Sequence, residues 1–420
     1  MLVMMRFMES LIVYPQMYTD TVYARGGIQG GFQRLLTDNL NPLVFSIPFY
    51  IILLLSFILF VYAFFSDRGA MFSIAAKKFF PLRWRLVAAG GLFVFMSLFL
   101  SISWSPAGQD SSRPNILILA SDALRQDHFS ARGYFRDTTP NIDLLCEKGA
   151  AFENIFTTVP RTFPAWVSIL TSRYPAYHGI KHMFPSSSSR NRNFVSLATV
   201  LRDKGYDTIL AGDFAADIFP RVEIGYERVY SPTFNLDIMI EQLALKNNSF
   251  IVPFLTNSMG FLFFPGIREC AEFADPAFVN SRIKKEISRS VSKGRPFFLT
   301  SFYSVTHFPY SAPWPYYNRY TRRSYAGPFK YLKNRVIELN DSAEKKGGNG
   351  DENISRGDIE QVRALYDGCL SAFDDSVGEI TDYLRDQGIL ENTIVIILSD
   401  HGENLYEHDL GMGHGEHLRG

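Results

Sequence analysis

The chain is 420 residues long and carries 42 basic and 42 acidic residues, so its formal net charge at pH 7 is zero. Without a basic excess, the overall charge does not indicate a nucleic-acid partner. The cysteines number only three and lie far apart, which excludes a disulfide framework or a zinc knuckle. The length exceeds that of one ordinary domain and favours a membrane part joined to one large catalytic domain.

The first hundred residues predict a membrane region. Residues 1–42 begin with a Met-rich amphipathic stretch, and no assignment follows from them. Residues 43–65 and 86–104 are two uncharged apolar runs, and tryptophans bracket the second of them. Uncharged runs of about 20 residues can span a bilayer, and tryptophan anchors such spans at the interface. We therefore predict two transmembrane helices within a membrane region of residues 43–104.

The loop between the two runs predicts the orientation of the chain. Its charged residues are Asp67, Arg68, Lys77, Lys78, Arg83 and Arg85. By the positive-inside rule this basic loop is cytoplasmic, so the chain leaves the membrane on the other side after residue 104. We predict a polar linker at residues 105–113. The catalytic domain, residues 114–420, is predicted to lie in the periplasm or outside the cell.

Two apolar runs of the predicted catalytic domain end in carboxylates. NILILAS precedes Asp122, and IVIILS precedes Asp400 and His401. Short runs of this kind are typical of central strands in a parallel sheet, and ligands bind beyond the carboxyl ends of such strands. Two carboxylates and an imidazole are suitable ligands for a divalent metal ion. We therefore predict an α/β fold, with a doubly wound, mostly parallel sheet flanked by helices and a metal site at one edge.

A hydroxyl residue, Thr162, precedes Phe163, Pro164 and an apolar helical run. Because proline favours the first turn of a helix, Thr162 is predicted to lie at a helix N-terminus, where free N–H groups and the helix dipole stabilise an anion. A metal ion beside it would lower the pKa of its hydroxyl group and neutralise ester oxygens. Thr162 is thus a candidate nucleophile and metal ligand. A threonine here could also serve only as a helix cap, and this alternative stays open.

Residues 249–267 form a further uncharged stretch, interrupted by prolines and Gly260. A third membrane span here would place Asp400 and His401 on the opposite side of the membrane from Thr162. We therefore expect a hydrophobic flap that lies on the domain or at the bilayer surface, where it would admit a lipid substrate. An ordinary buried loop and helix is the equal alternative.

Four blocks of sequence stand out in chain order: RPNILILASDALRQDHFSARGY, LTSRYPAYHG, FYSVTHFPY, and TIVIILSDHGENLYEH followed by GHG. Together they resemble the alkaline-phosphatase superfamily, and its sulfatase-like branch in particular. The resemblance covers about residues 113–420 and implies an alkaline-phosphatase-like fold after the transmembrane helices. Members of this family usually continue beyond the GHG element, so the chain is expected to be truncated at its C-terminus.

Departures from the sulfatase pattern suggest the chemistry. Sulfatases carry a cysteine or serine, matured to formylglycine, where this chain has Thr162, and threonine cannot be matured in this way. The sulfatase GKWHLG block falls on residues 212–217, which lack its anion-binding lysine and histidine. The segment around Thr162 resembles that of nucleotide pyrophosphatase/phosphodiesterases. Threonine is also the nucleophile in membrane-bound phosphoethanolamine transferases and lipoteichoic acid synthases, so the resemblance implies phosphoryl chemistry.

The resemblance also implies roles for two histidines. His307, in a block similar to the sulfatase HxPY element, and His414, in GHG, are expected to bind phosphate oxygens or assist the leaving group. Two-metal diesterases carry a metal-binding aspartate where this chain has Tyr303. One divalent ion (zinc, manganese, magnesium or calcium) is therefore expected. Its predicted ligands are Asp122, Thr162, Asp400 and His401.

These features together predict a membrane-anchored metalloenzyme that acts outside the cytoplasm. It would be a phosphodiesterase or phosphotransferase that works through a phosphothreonine intermediate. Its substrate would be a phosphate or sulfate ester, with lipid-linked esters among the candidates and nucleic acids excluded. Sulfatase activity, and a non-catalytic membrane protein built on the same scaffold, are the alternatives.

Overall fold

A computed structural model describes most of the chain. The described residues are 2–18, 28–65, 113–190, 193–232, 252–256, 258–264, 266–267, 273–331, 354–407 and 412–413. The second predicted transmembrane helix (86–104), the linker up to residue 112 and His414 lie outside these ranges.

A five-stranded parallel sheet forms the centre of the catalytic domain. Its strands are β1 (Asn115–Ser121), β2 (Asp207–Gly212), β3 (Arg228–Tyr230), β4 (Phe297–Tyr303) and β5 (Thr393–Leu398). They lie in the order β3-β2-β4-β1-β5, and every neighbouring pair is parallel. β4 and most of β1 are buried, as expected for strands that helices cover on both faces. The predicted α/β fold with a parallel sheet is confirmed.

Helices cover the sheet and precede it. They are α1 (Leu2–Val13), α2 (Ile28–Asn39), α3 (Leu43–Phe65), α4 (Pro140–Lys148), α5 (Thr162–Thr171), α6 (Pro175–His178), α7 (Ser187–Arg190), α8 (Leu197–Asp203), α9 (Val252–Leu255), α10 (Ser258–Phe263), α11 (Pro276–Ser292) and α12 (Arg356–Asp386). A short antiparallel pair, β6 (Asn404–Leu405) and β7 (Met412–Gly413), follows β5.

The two faces of the sheet have separate apolar cores. On one face, α11 and α12 bury an apolar stripe against the strands, and a capping box of Ser355 and Asp358 begins α12. On the other face, α5 buries Trp166 edge-on against Phe219 and Phe302, with ring centroids 5.2 and 4.9 Å away. This packing holds the first turn of α5 over the sheet.

The N-terminal helices belong to a third core. Residues 1–42 carried no assignment from sequence. In the structure α1 and α2 pack with α9 and with Phe273, and Ile12 is completely buried. The described part of the 249–267 stretch contains the two short helices α9 and α10, which end at Leu255 and begin at Ser258 respectively. Val252 and Leu255 are buried in this core, whereas Phe263 is exposed.

Residues 43–65, the first predicted transmembrane segment, form the single helix α3, whose described side chains end at Leu59. Within the part of the chain that the structure describes, no single helix has both the length and the hydropathy of a membrane span. The segments Gln33–Asn39 and Leu43–Leu59, bent by 88°, meet these criteria as a pair. Transmembrane anchoring therefore stays a prediction.

Candidate active site

The parallel register of β1 and β5 brings the two acidic strand ends together. Ala120 pairs with Leu398, so Asp122 and Asp400 follow at the same edge of the sheet. The next residue, His401, places Nε2 3.4 Å from Asp122 Oδ1 and 3.4 Å from Asp400 Oδ2. All three side chains are almost completely buried. One oxygen or nitrogen from each residue lies within 4.8 Å of the others.

Thr162 is the first residue of α5 and reaches the same point. Its Oγ1 lies 3.3 Å from His401 Nε2, and the side chain is 5% exposed. Arg161 before it is extended and Pro164 lies in the first helical turn, as the sequence indicated. The hydroxyl group therefore lies at the N-terminal end of the helix, beside the acidic group. The four predicted metal ligands converge although almost three hundred positions separate the first from the last.

The hydrogen bonds of the acidic residues and of His401 suit a bound cation. Asp400 Oδ1 accepts the backbone N–H of His401 (3.0 Å), whereas Asp400 Oδ2 and Asp122 Oδ1 are buried and form no hydrogen bond. His401 Nδ1 lies 2.9 Å from the carbonyl oxygen of Gly402, which favours a proton on Nδ1 and leaves the Nε2 lone pair towards the carboxylates. A divalent ion held by these atoms and Thr162 Oγ1 would satisfy each of them.

The electrostatics of the site also favour a bound cation. Burial, and then repulsion from Asp400, Glu403 and Asp213, raise the pKa of Asp122 well above its ordinary value. Buried like charges cannot all ionise without a compensating cation. A divalent ion would supply that compensation and make the carboxylates available as ligands.

Two further buried acids were not predicted as site residues. Asp213 directly follows β2, as Asp122 directly follows β1. Its Oδ1 accepts the backbone N–H of Ser304 (2.8 Å), its Oδ2 forms no hydrogen bond, and burial raises its pKa to about 7. Glu403, in the loop after β5, is completely buried. A carboxylate that directly follows a buried strand was the signal that could have found Asp213.

His307 lies at the same edge, in the turn after β4. Its backbone N–H donates to Ser304 O (3.0 Å), and its Nδ1 lies 2.5 Å from the carbonyl oxygen of Phe308. The preceding residue, Thr306, donates its hydroxyl to the carbonyl oxygen of Asp122 (2.6 Å), so this turn is joined to the metal-ligand strand. His414 lies outside the described residues, one position after β7.

Hydrogen bonds to backbone groups hold the two ligand loops to each other. Ser399 Oγ accepts the backbone N–H of Leu124 (2.9 Å) and lies 3.0 Å from the carbonyl oxygen of Ser121. The Tyr366 hydroxyl on α12 donates to the carbonyl oxygen of Ala123, which has a positive φ of 59°. Arg125 Nη1 donates to the carbonyl oxygen of Glu403 (2.9 Å). These contacts hold the two loops that carry the carboxylates close to each other.

Known proteins resemble this chain over the same region. A family model described as Sulfatase matches residues 114–419. The multifunctional alkaline phosphatase superfamily protein PehA of Trinickia caryophylli is 27% identical over 346 residues, which cover 71% of this chain and 65% of that protein. The arylsulfatase of Clostridium perfringens (strain 13 / Type A) is 24% identical over 318 residues, 71% of this chain and 64% of the relative. The chain thus spans just under two thirds of these relatives' lengths.

A solved structure shows a similar fold. The phosphonate monoester hydrolase of Agrobacterium radiobacter aligns with a TM-score of 0.53 and 22% identity, over 73% of this chain and 66% of that one. Its likeness supports the alkaline-phosphatase-like arrangement of the sheet and helices. The Sulfatase model matches well over half of the sequence, through the strands and the helix that carry the acidic cluster and Thr162. The chain is therefore a member of the sulfatase family.

Proposed function

We propose that the protein is a metal-dependent phosphodiesterase or phosphotransferase with Thr162 as its nucleophile. The observation that carries this proposal is the position of Thr162 Oγ1, 3.3 Å from His401 Nε2 and at the end of a helix. A threonine used only as a helix cap would place its oxygen on its own helix N–H groups. In the structure Arg161 is the N-cap of α5 and Thr162 is its first helical residue, so Thr162 does not occupy the capping position.

Four residues would hold one divalent ion: Asp122, Thr162, Asp400 and His401. When bound, the ion lowers the pKa of the Thr162 hydroxyl group and neutralises the ester oxygens. Thr162 Oγ1 attacks phosphorus in line, the bond from phosphorus to the leaving oxygen breaks, and the Oγ1 proton passes to water. The product is a phosphothreonine, which water or an acceptor hydroxyl resolves. His307 and His414 are the proposed partners of the phosphate oxygens and the leaving group.

Trapping the intermediate tests this mechanism. Incubating the protein with bis(4-nitrophenyl) phosphate and manganese, quenching in acid and analysing peptides by mass spectrometry should find phosphate on Thr162. Thr162→Ala should abolish both the adduct and turnover. Thr171→Ala, at the other end of the same helix, is the matched control and should keep both. Absence of the adduct together with unchanged turnover in Thr162→Ala would reject the nucleophile.

Sulfate-ester hydrolysis is the second candidate, because relatives of this chain include an arylsulfatase. The two candidate functions differ in the group that is transferred. Two substrates that share the leaving group 4-nitrophenol therefore distinguish them. Turnover of 4-nitrophenyl sulfate above that of bis(4-nitrophenyl) phosphate, under the same metal, would favour the sulfatase. We expect the opposite order, because Thr162 cannot form the aldehyde hydrate on which sulfatases depend.

We further propose that α3 holds the domain at a membrane, with the active site outside the cytoplasm. α3 carries no charged residue, and its Leu43–Leu59 part meets the length and hydropathy of a membrane span together with Gln33–Asn39, as a bent pair. Most of the described side chains between Leu43 and Leu59 are exposed, among them Phe57 (62%) and Leu59 (65%). An active site held at a membrane by α3 would favour a lipid-linked ester as substrate. The protein should stay in membranes after an alkaline carbonate wash, and release into the supernatant would contradict the anchor.

A further inference from the structure

The N-terminal segment of the chain packs against the catalytic domain. We call residues 2–18 and 28–39 the N-terminal brace. Leu11 and Ile12 of α1, Met17 of the following turn and Leu36 of α2 are buried in the core that also contains Leu255 of α9. Burial of this many large side chains stabilises a specific position of the brace on the domain.

Three hydrogen bonds join the brace to residues 311–317. The backbone N–H of Trp314 donates to the carbonyl oxygen of Val13 (3.1 Å). The hydroxyl group of Tyr317 donates to the carbonyl oxygen of Ile12 (2.8 Å). Gln16 Nε2, on a side chain only 4% exposed, donates to the carbonyl oxygen of Ser311 (3.2 Å). Buried bonds of this kind are costly to break, because water does not replace the lost partner.

The braced segment directly follows the turn of His307. The backbone N–H of Tyr310 donates to the carbonyl oxygen of His307 (3.2 Å), and Tyr310 is buried. Ser311, which Gln16 holds, is the next residue. Between Thr306, bonded to Asp122, and Ser311, bonded to Gln16, the chain has few degrees of freedom. The position of His307 therefore depends on an anchor at each end of its turn.

The other end of the brace leads into α3. Asp38 pairs with Lys330 at 2.9 Å, and both side chains are 9% exposed. Thr37 bonds to the hydroxyl group of Tyr331. The last residue of α2 is Asn39 and α3 begins at Leu43, so only three residues separate the braced helix from α3. The start of α3 is thus held to the catalytic domain through α2.

We propose that the N-terminal brace is a positioning element of the active site, which holds the His307 turn through residues 311–317 and joins it to α3. Its catalytic consequence rests on the proposed function, because that function assigns His307 to the substrate. The brace touches no metal ligand in the contacts described above. Loosening it should therefore disturb His307 and leave the metal site intact.

The first test is independent of any substrate. In the full-length protein, Gln16→Leu and Tyr317→Phe each remove one buried hydrogen bond with little change in volume. Hydrogen–deuterium exchange measured by mass spectrometry should show amides of residues 307–317 exchanging about tenfold faster, while peptides of β1 and β5 keep their rates. Arg34→Ala, which removes an exposed bond to the carbonyl oxygen of Ala326, is the control and should change neither region. Unchanged exchange at 307–317 in both test variants would overturn the proposal.

The second test asks whether the brace acts through His307. For hydrolysis of bis(4-nitrophenyl) phosphate, Gln16→Leu should lower kcat/KM about 5- to 10-fold in the native background and less than about twofold in His307→Ala. Manganese affinity should not change. An equal loss in both backgrounds would mean that Gln16 is merely structural, which overturns the positioning role. Failure of the proposed function alone would appear as Thr162-independent turnover with the exchange result intact.

Discussion

The two ends of β2 carry buried aspartates in opposite electrostatic surroundings. Asp207, at the start of the strand, accepts two bonds from the guanidinium group of Arg228 (3.0 and 2.8 Å) and one from Ser290, and Arg295 lies 3.1 Å away. These partners lower its pKa, although burial acts against them. Asp213, just past the other end, has one backbone donor and a raised pKa of about 7.

The same difference holds for the two edges of the sheet. At the carboxyl edge, Asp122, Asp213, Asp400 and Glu403 are buried together, and Asp122 has a raised pKa. A structural carboxylate such as Asp207 is matched by cationic side chains of the chain itself. Asp122, Asp213 and Asp400 each have a buried oxygen that forms no hydrogen bond, which costs stability and is relieved by a cation or a proton from outside. The ion pairs of Asp207 therefore stabilise the fold, whereas the acidic group at the carboxyl edge of the sheet is suited to binding a cation.

The largest expected effect is a loss of turnover on substitution of Asp400, at the carboxyl edge of the sheet. Asp400→Asn removes a ligand and one of the charges that raise the pKa of Asp122. We expect phosphodiester turnover to fall roughly 10³-fold or more, as for loss of a central catalytic group, with metal affinity weakened in parallel. The metal-free variant should be at least as stable as the metal-free native protein, because repulsion is relieved. Calorimetric titration with manganese and thermal unfolding in EDTA measure both, and a large loss of metal-free stability would contradict this account.

A smaller effect, a loss of stability, is expected on substitution of Asp207 at the start of β2. Asp207→Asn removes the charge partner of two of Arg228's bonds, while the bond from Arg228 to the buried Glu286 (2.8 Å) remains, so the free energy of unfolding should fall by about 1.5–3 kcal/mol. Because the pKa of Asp207 is lowered in the folded state, its stabilisation is present above its unfolded pKa and is lost as pH falls through the folded value. The difference between variant and native protein in urea unfolding should therefore shrink on acidification. The exposed Asp382→Asn is the control, with no measurable change expected.

The smallest expected effect is the pH dependence of stability that Asp213 causes, at the other end of β2 from Asp207. With a folded pKa of about 7, Asp213 keeps its proton between about pH 4 and pH 7, where the unfolded state has lost it. Stability of the metal-free native protein should thus decline as pH rises through this window, by about 1 kcal/mol per pH unit at the steepest. Asp213→Asn keeps an acceptor for Ser304 N–H and should make that decline shallower, while Asp122 and Asp374, whose pKa values are also raised by burial, keep part of it. Parallel slopes in urea unfolding for the two proteins would show that Asp213 does not hold the proton.

The strands and the edge of the sheet that carries the acidic residues could be predicted from local sequence patterns. Runs such as NILILAS and IVIILS are apolar enough to be central strands, and parallel strands end at one edge, so Asp122 and Asp400 could be placed together before the structure was known. The turn after β4 that carries His307 followed from family resemblance. The roles of Thr162, His307 and His414 stay proposals, and His414 lies outside the described residues.

What could not be predicted depends on distant contacts. Nothing in residues 1–42 indicates that Gln16 lies against Ser311 or Asp38 against Lys330, because each pair is almost three hundred positions apart and neither has a periodic signature. The pKa of Asp213 depends on burial, which the neighbouring elements decide. Local sequence determined the strands, the helix start at Thr162 and the family. Only the tertiary structure decided which charges are matched and which are not, since desolvation and ion pairing depend on side chains that meet across the folded chain.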